Sequence, residues 1–249
     1  MLSPVIDDEL KLKHLDLTDI EVKLDYVGQA LEAIREGIGS DKALIGFAGA
    51  PYTLASYMVE GGGIGRISKL KLLAYRKPHF VSHLLDLLSD VVIAYLKMQV
   101  NHGADVIQLF DTWAGELSPA DFASFELPRV KKIVQAIKQL NVPVIYFVNG
   151  VAGLLEHLPE TGADVLGVDW RISIGEFRKR VGDQFAVQGN LDPLELYAPT
   201  EHIRKRVREI HREAGMRGHI FNLGHGILPD VPVENAIHFV KECQRVSKR

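Results

Sequence analysis

Short apolar runs recur along the chain, at residues 44–49, 106–110, 144–148, 165–168, 185–188 and 219–223. Each is bounded by glycine, aspartate, asparagine or proline and is too brief for a helix. Such runs suit strands buried on both faces, as in a parallel sheet. The stretches between them carry helical spacing. Residues 18–36 place Val22, Val27, Ala30, Leu31 and Ile34 near one face, and Gly37 closes the pattern. Residues 78–101 do the same with Leu84, Leu85, Leu88, Val91, Val92, Tyr95 and Leu96. Ser118-Pro119 and Asp192-Pro193 each read as an N-cap followed by proline at the first helical position. Pro128 predicts a break within residues 120–139, and Thr200 and Asp230 are the expected caps of the last two helices.

Strand and helix alternate, so the expected class is α/β with helices covering a parallel sheet. Gly103-Ala104-Asp105-Val106 and Gly162-Ala163-Asp164-Val165 echo one another, and each opens a strand that leads to an acid, Asp111 or Asp169. The echo reads as one helix-to-strand turn used twice, which fits stacked βα units. Nothing in composition divides the chain, so residues 1–249 are expected to form a single domain. The length is close to the roughly 250 residues of a (β/α)8 barrel. Six strands are two fewer than such a barrel needs, and the first 40 residues offer only a polar approach and one helix. The residues alone leave two architectures: an open six-stranded sheet, or a barrel without its first two βα units.

Composition narrows the chemistry. With 47% apolar and 24% charged residues and a net charge of −3, the chain has no basic field for nucleic acid. The cluster Arg204, Lys205, Arg206, Arg208 and Arg212 is interrupted by Ile203, Val207 and Ile210, as on the solvated face of a helix. A lone cysteine, Cys243, excludes a disulfide framework and a cysteine-rich zinc site. No signal peptide or membrane span is read, so a cytoplasmic setting without membrane partners is expected. His79 and His83 are four apart, but no Glu follows His79, so no metal site is predicted. Gly61-Gly62-Gly63-Ile64-Gly65 reads as a loop or helix terminus, because it follows no strand and lacks the Lys-Ser/Thr pair of a phosphate cradle.

In parallel α/β architectures ligands bind beyond the carboxyl ends of the strands. Those ends offer Asp111, Asp169, Asp192 and His225 as acid-base candidates, with Tyr57 close behind the first tip. Asp192 before Pro193 has the simpler reading of a helix cap, and Asp111 and Asp169 that of bonding nearby loop amides. His225 sits between two glycines, where it packs little while the backbone can approach a ligand closely, which favours a functional role.

Several of these segments are distinctive together: 46–54 (GFAGAPYTL), 57–63 (YMVEGGG), 108–115 (QLFDTWAG), 188–193 (QGNLDP) and 222–230 (NLGHGILPD). From about residue 40 onward the chain resembles the uroporphyrinogen decarboxylase family. The resemblance implies a (β/α)8 TIM-barrel fold, usually as a homodimer. It implies an enzyme of haem biosynthesis that turns the four acetate side chains of uroporphyrinogen into the methyl groups of coproporphyrinogen, with no metal or organic cofactor. It assigns catalysis to His225 and Tyr57, and substrate binding to Tyr57, Thr112, His225, Phe47 and Phe110. Protonating the pyrrole makes it an electron sink, so the protein supplies a proton, orientation and charge stabilisation.

The family's arginine-rich segment after its first strand, and the aspartate ending its second, have no counterpart in residues 1–40. Strand tips here offer only Arg171 and Arg66 as cations. The expectation is therefore a barrel lacking its first two βα units, with compromised activity and an exposed apolar edge near residues 44–48. Two alternatives stand beside it: an inactive barrel fragment that partners a separate N-terminal piece, and a corrinoid- or coenzyme-linked methyltransferase of the same superfamily.

Overall fold

A computed structural model describes residues 5–61, 69–215 and 218–248. Helices α1 (Glu9–Leu12), α2 (Ile20–Lys23) and α3 (Asp25–Ile38) precede strand β1 (Ile45–Gly49). Then follow α4 (Pro51–Glu60), α5 (Lys69–Arg76), α6 (Pro78–Asn101) and β2 (Val106–Asp111). The short α7 (Pro119–Asp121) runs through a π turn (Phe122–Glu126) into α8 (Leu127–Lys138) and β3 (Val144–Val148). After β4 (Val165–Gly167) come α9 (Ile174–Val181), β5 (Ala186–Leu191), α10 (Thr200–Ala214), β6 (His219–Leu223) and α11 (Val233–Ser247).

All described strands pair in parallel, in the order of the sequence from β1 to β6. This is the six-stranded α/β sheet expected from the apolar runs, in the arrangement of a partial barrel. Residues in register share a face, so Gly49, Phe110, Phe147, Gly167, Gln188 and Ile220 form one row. The opposite face, with Ile107, Leu109, Tyr146, Leu166 and Val187, is buried under the helices.

The two Gly-Ala-Asp-Val turns are one device, as their likeness suggests. Gly103 and Gly162 take φ of +99° and +77°, the left-handed region that glycine enters without strain. The aspartate two residues on then reaches back to the preceding strand. Asp105 Oδ2 accepts the Leu44 N–H at 2.7 Å, and Asp164 Oδ2 accepts the Val144 N–H at 2.9 Å. A cation locks each carboxylate: Arg35 for Asp105, and Lys138 at 2.7 Å for Asp164.

On β1, Phe47 is held in an unusual way. Gln99 of α6 accepts the Phe47 N–H at 2.8 Å and donates to the Phe47 carbonyl at 2.9 Å, so a side-chain amide occupies the place of a neighbouring strand. Apolar side chains on the two terminal strands remain open: on β1 Phe47 is 59% and Ile45 42% exposed, and on β6 Ile220 is 41% exposed. The expected exposed edge is thus present, although Leu44 and Ala48 themselves are buried.

Several local expectations change. Residues 18–36 form two helices instead of one, separated at Leu24, whose φ of −108° and ψ of 12° leave the helical region. Val22 is 75% exposed, and α3 docks through Gly28, where an added Cβ would lie 2.8 Å from the His102 ring. The helix over residues 78–101 forms as expected. It is long and apolar enough to cross a membrane by length and composition, but it lies against α4, α5, α8 and β1. Its apolar character comes from core residues such as Leu84, Leu85 and Leu96.

Ser118 and Asp192 cap as expected, accepting the N–H of Asp121 at 3.1 Å and of Leu194 at 2.9 Å. Thr200 and Asp230 do not cap. Pro199 and Pro232 hold those positions, and Asp230 instead accepts from the Tyr197 hydroxyl. The helix stays continuous and loosens at the π turn just before Pro128, and the Ser124 carbonyl that the missing Pro128 N–H leaves free accepts from Arg129 at 3.2 Å.

Candidate functional site

The loops after the strands set the site, and the row of inward-facing residues supplies its floor. An aromatic series crosses this face. Phe47 and Phe110 meet edge to face with centroids 5.9 Å apart, Phe110 and Phe147 at 6.0 Å, and Phe147 and His225 at 6.3 Å. These spacings fall within the range of favourable aromatic pairs. Gly167 makes room for the series. A Cβ there would lie 2.9 Å from both Cβ and Cδ2 of Phe147, so the ring occupies space that any other residue would fill.

Beside these rings opens a cleft of about 560 Å³, lined among others by Phe110, Thr112, Phe147, Gln108, Gln188 and His225. The two glutamines are nearly buried, and Gln188 Nε2 donates to Gln108 Oε1 at 3.2 Å across the floor. Asn222, exposed on β6, adds a further amide. The described lining therefore combines phenylalanine rings and aliphatic side chains such as Leu196, Ile227 and Val240 with amide, hydroxyl and imidazole groups, and none of its residues is Arg or Lys.

Of the residues predicted from the sequence, Phe110, Thr112 and His225 come together on this cleft. Phe47 is not among its lining residues but stands next to it through Phe110. Tyr57, on α4 and 37% exposed, lies outside that lining. His225 is exposed on a loop seated on the β4 tip, because Gly224 lets the backbone approach Trp170. A Cβ at Gly224 would stand 2.8 Å from the Trp170 nitrogen.

The acid candidates have partners within the fold. Asp169 is fully buried and accepts from the Gly150 N–H at 2.9 Å and from Arg171. Arg171 also donates to Asn149 Oδ1 at 2.8 Å and lies over the Trp170 ring at 4.4 Å, so this tip cation is already engaged. Arg66 and residues 62–65 of the glycine run lie outside the described residues. Asp111 is fully buried behind the cleft, held by Thr53 and Tyr146 at 2.8 Å each.

Three features escaped sequence reasoning. Gln108 and Gln188 sit inside apolar strand runs, and a polar residue in such a run is the signal that marks them, since a buried amide needs a partner. Phe147 reads only as strand core until Gly167 is seen beneath it. Glu126, fully buried in the π turn, binds the Tyr52 N–H through both oxygens at 3.1 Å. Nothing in the local pattern announces it.

Cys243 is buried on α11 with its thiol pushed up to about 12 by burial, the opposite of a metal-binding thiolate. Among the described residues no group of three or more His, Cys, Asp or Glu side chains is arranged to hold a metal ion.

Comparison with known proteins places this architecture. A family model described as uroporphyrinogen decarboxylase matches residues 1–246. The uroporphyrinogen decarboxylase of Trichodesmium erythraeum is 41% identical over 249 residues, covering 99% of this chain and 70% of that protein. The chloroplastic uroporphyrinogen decarboxylase 2 of Oryza sativa is 46% identical over 223 residues, covering 89% of this chain and 57% of that protein. Among solved structures, a methyltransferase from Methanosarcina mazei superposes with a TM-score of 0.78 at 23% identity. That match covers 90% of this chain and 65% of the other, and it is a likeness of fold.

Proposed function

The chain belongs to the uroporphyrinogen decarboxylase family, and from that premise we propose that it removes carbon dioxide from the acetate side chains of uroporphyrinogen to give coproporphyrinogen. The observation that carries this reading is the cleft at the carboxyl ends of the strands, where Phe110 and Phe147 meet Thr112 and His225. Its aromatic wall suits pyrrole rings, and its hydroxyl, imidazole and amide groups suit the carboxylates those rings carry.

An acetate on a pyrrole loses carbon dioxide once the ring accepts its electrons. A proton added to a ring carbon makes the ring iminium-like. The bond pair of the departing carboxylate then moves toward the ring as carbon dioxide leaves. A proton taken up at the former methylene, with return of the ring proton, leaves a methyl group and an intact pyrrole. Each turnover consumes one proton per carbon dioxide released.

In this reading His225, exposed at the mouth of the cleft, is the acid-base group placed to exchange that proton. Thr112 donates to a carboxylate oxygen, and Phe110 and Phe147 fix the ring against the wall. Phe47 extends the wall, and Tyr57 meets the substrate from α4 at its outer edge. Arg171 contributes through Asp169 and Trp170 by holding the β4 tip, not by binding substrate. A homodimer and a cytoplasmic setting belong to the same proposal.

The test is anaerobic incubation with uroporphyrinogen, followed by oxidation and chromatography by carboxylate number. The reading expects stepwise conversion from octa- to tetracarboxylate porphyrin. An unchanged octacarboxylate pool overturns it.

A further inference from the structure

Behind the Thr112 tip, on the face turned away from the cleft, two fully buried carboxylic acids share one hydrogen-bond network. Asp111 ends β2, with the Thr53 hydroxyl donating to Oδ1 and the Tyr146 hydroxyl donating to Oδ2, each at 2.8 Å. Glu126 ends the π turn and accepts the Tyr52 N–H. Thr53 and Tyr52, which hold the two acids, are consecutive on α4, and the two carboxyl groups face each other across this turn. Ionising two adjacent carboxyl groups, both fully buried, is disfavoured by desolvation and like-charge repulsion, so one proton stays with the pair. Asp111 already accepts a hydroxyl at each oxygen, which favours its ionised form and leaves Glu126 to carry the proton.

The network joins the tip of β2, which carries Thr112 of the cleft, to the start of α4, which carries Tyr57. The Thr53 hydroxyl that donates to Asp111 also accepts the Trp113 N–H at 3.2 Å. Thr112 thus stands between two anchored residues, Asp111 and Trp113. On α4, Tyr57 follows Thr53 by about one helical turn. The π turn is what swings Glu126 into this position, and such turns recur at functional sites.

We propose that Asp111 and Glu126 are positioning residues: holding one proton between them, they fasten the start of α4 to the tip of β2 and so fix Thr112 and Tyr57. Loss of that proton releases the fastening. The proposal rests on the reading of the cleft as the decarboxylation site.

The surroundings favour retention of the proton. Burial pushes the Asp111 carboxyl up to about 6, and burial together with the Asp111 charge raises Glu126 well above the usual range. Tyr52 from α4 and Tyr146 from β3 face the pair as neutral phenols. Arg129 from α8 is the facing cation that opposes the shift, and it is itself paired with Asp86 of α6 at 2.8 Å. Asp121 of α7 faces Tyr52 and accepts the Tyr75 hydroxyl at 2.9 Å.

Glu126→Gln copies the protonated acid, since its amide N–H can donate to Asp111 while its carbonyl accepts the Tyr52 N–H. Three readouts are made on the full chain. Infrared difference spectra are expected to show a buried protonated carboxylic acid that Glu126→Gln removes. In a Trp170→Phe background, Trp113 fluorescence is expected to step as pH rises and the pair loses its proton, and to stay flat with Glu126→Gln. In turnover, the wild-type kcat is expected to fall on that alkaline limb, and Glu126→Gln to abolish the fall. Asp111→Ala is expected to lower kcat on the order of tenfold with less change in KM, as misplacement of a binding group does. A protonated-acid band that survives Glu126→Gln, or an unchanged fluorescence step, overturns the proposal. If no variant turns over substrate, the decarboxylase reading fails, while the infrared and fluorescence readouts still decide the pair.

Discussion

Gly167→Ala probes the aromatic wall at its foundation. The new Cβ would lie 2.9 Å from Phe147 Cβ and Cδ2, and 3.1 Å from its Cα. The ring can tilt, but the Cα belongs to a strand paired in register with Gly167, so a side-chain rotation does not relieve the whole overlap. Overpacking of this kind costs about 1–3 kcal/mol. For a chain of this size each kcal/mol lowers Tm by about 2–4 °C, so the expected fall is roughly 2–12 °C. The ring should move toward Phe110 and into the cleft, weakening any ligand held there. Thermal unfolding of Gly167→Ala, Phe147→Leu and the double variant forms the cycle. The expected result is coupling, with Phe147→Leu recovering about 0.5–3 kcal/mol in the Gly167→Ala background. Additive losses, or an unshifted Tm for Gly167→Ala, would refute the idea that Gly167 exists to admit Phe147.

Gln99→Leu leaves the Phe47 N–H and carbonyl unpaired at the side of β1. It is expected to cost about 1–3 kcal/mol and to raise self-association, measured by unfolding and sedimentation. Asp105 is held below the ordinary carboxylate range, first by the Leu44 N–H and also by Arg35. A carboxylate held down in the fold stabilises above its unfolded value of about 4 and loses that contribution as pH falls through its folded value. Asp105 is largely exposed, so the effect is expected to stay below about 1 kcal/mol, and Asp105→Asn should flatten the acid limb of Tm against pH. His225→Asn is expected to lower decarboxylation by about 10²–10⁴ without changing Tm, as removal of an acid-base group does.

The strands were legible because each is an apolar run of four to six residues between turn formers, and the repeated glycine-aspartate turns punctuate them. The polar start was less so. Residues 18–36 show helical spacing, but the chain breaks at Leu24 and docks through Gly28 on His102, a contact made across distant sequence. Proline displaced the expected caps Thr200 and Asp230 because its fixed φ already suits the position before each helix. At the site, distinctive segments marked Thr112, Phe110 and His225, which the fold gathers on one cleft. The same segments marked Tyr57, which lies outside the lining. Glu126 carried no signal because a π turn, not a residue pattern, brings it to Asp111.

The central claim is that the cleft beside Phe110, Phe147, Thr112 and His225 is where the tetrapyrrole binds. An anaerobic crystal structure with coproporphyrinogen tests it most directly. The account predicts pyrrole rings against Phe110 and Phe147, with carboxylates at Thr112 and His225. A tetrapyrrole bound elsewhere, with this cleft empty, would contradict it.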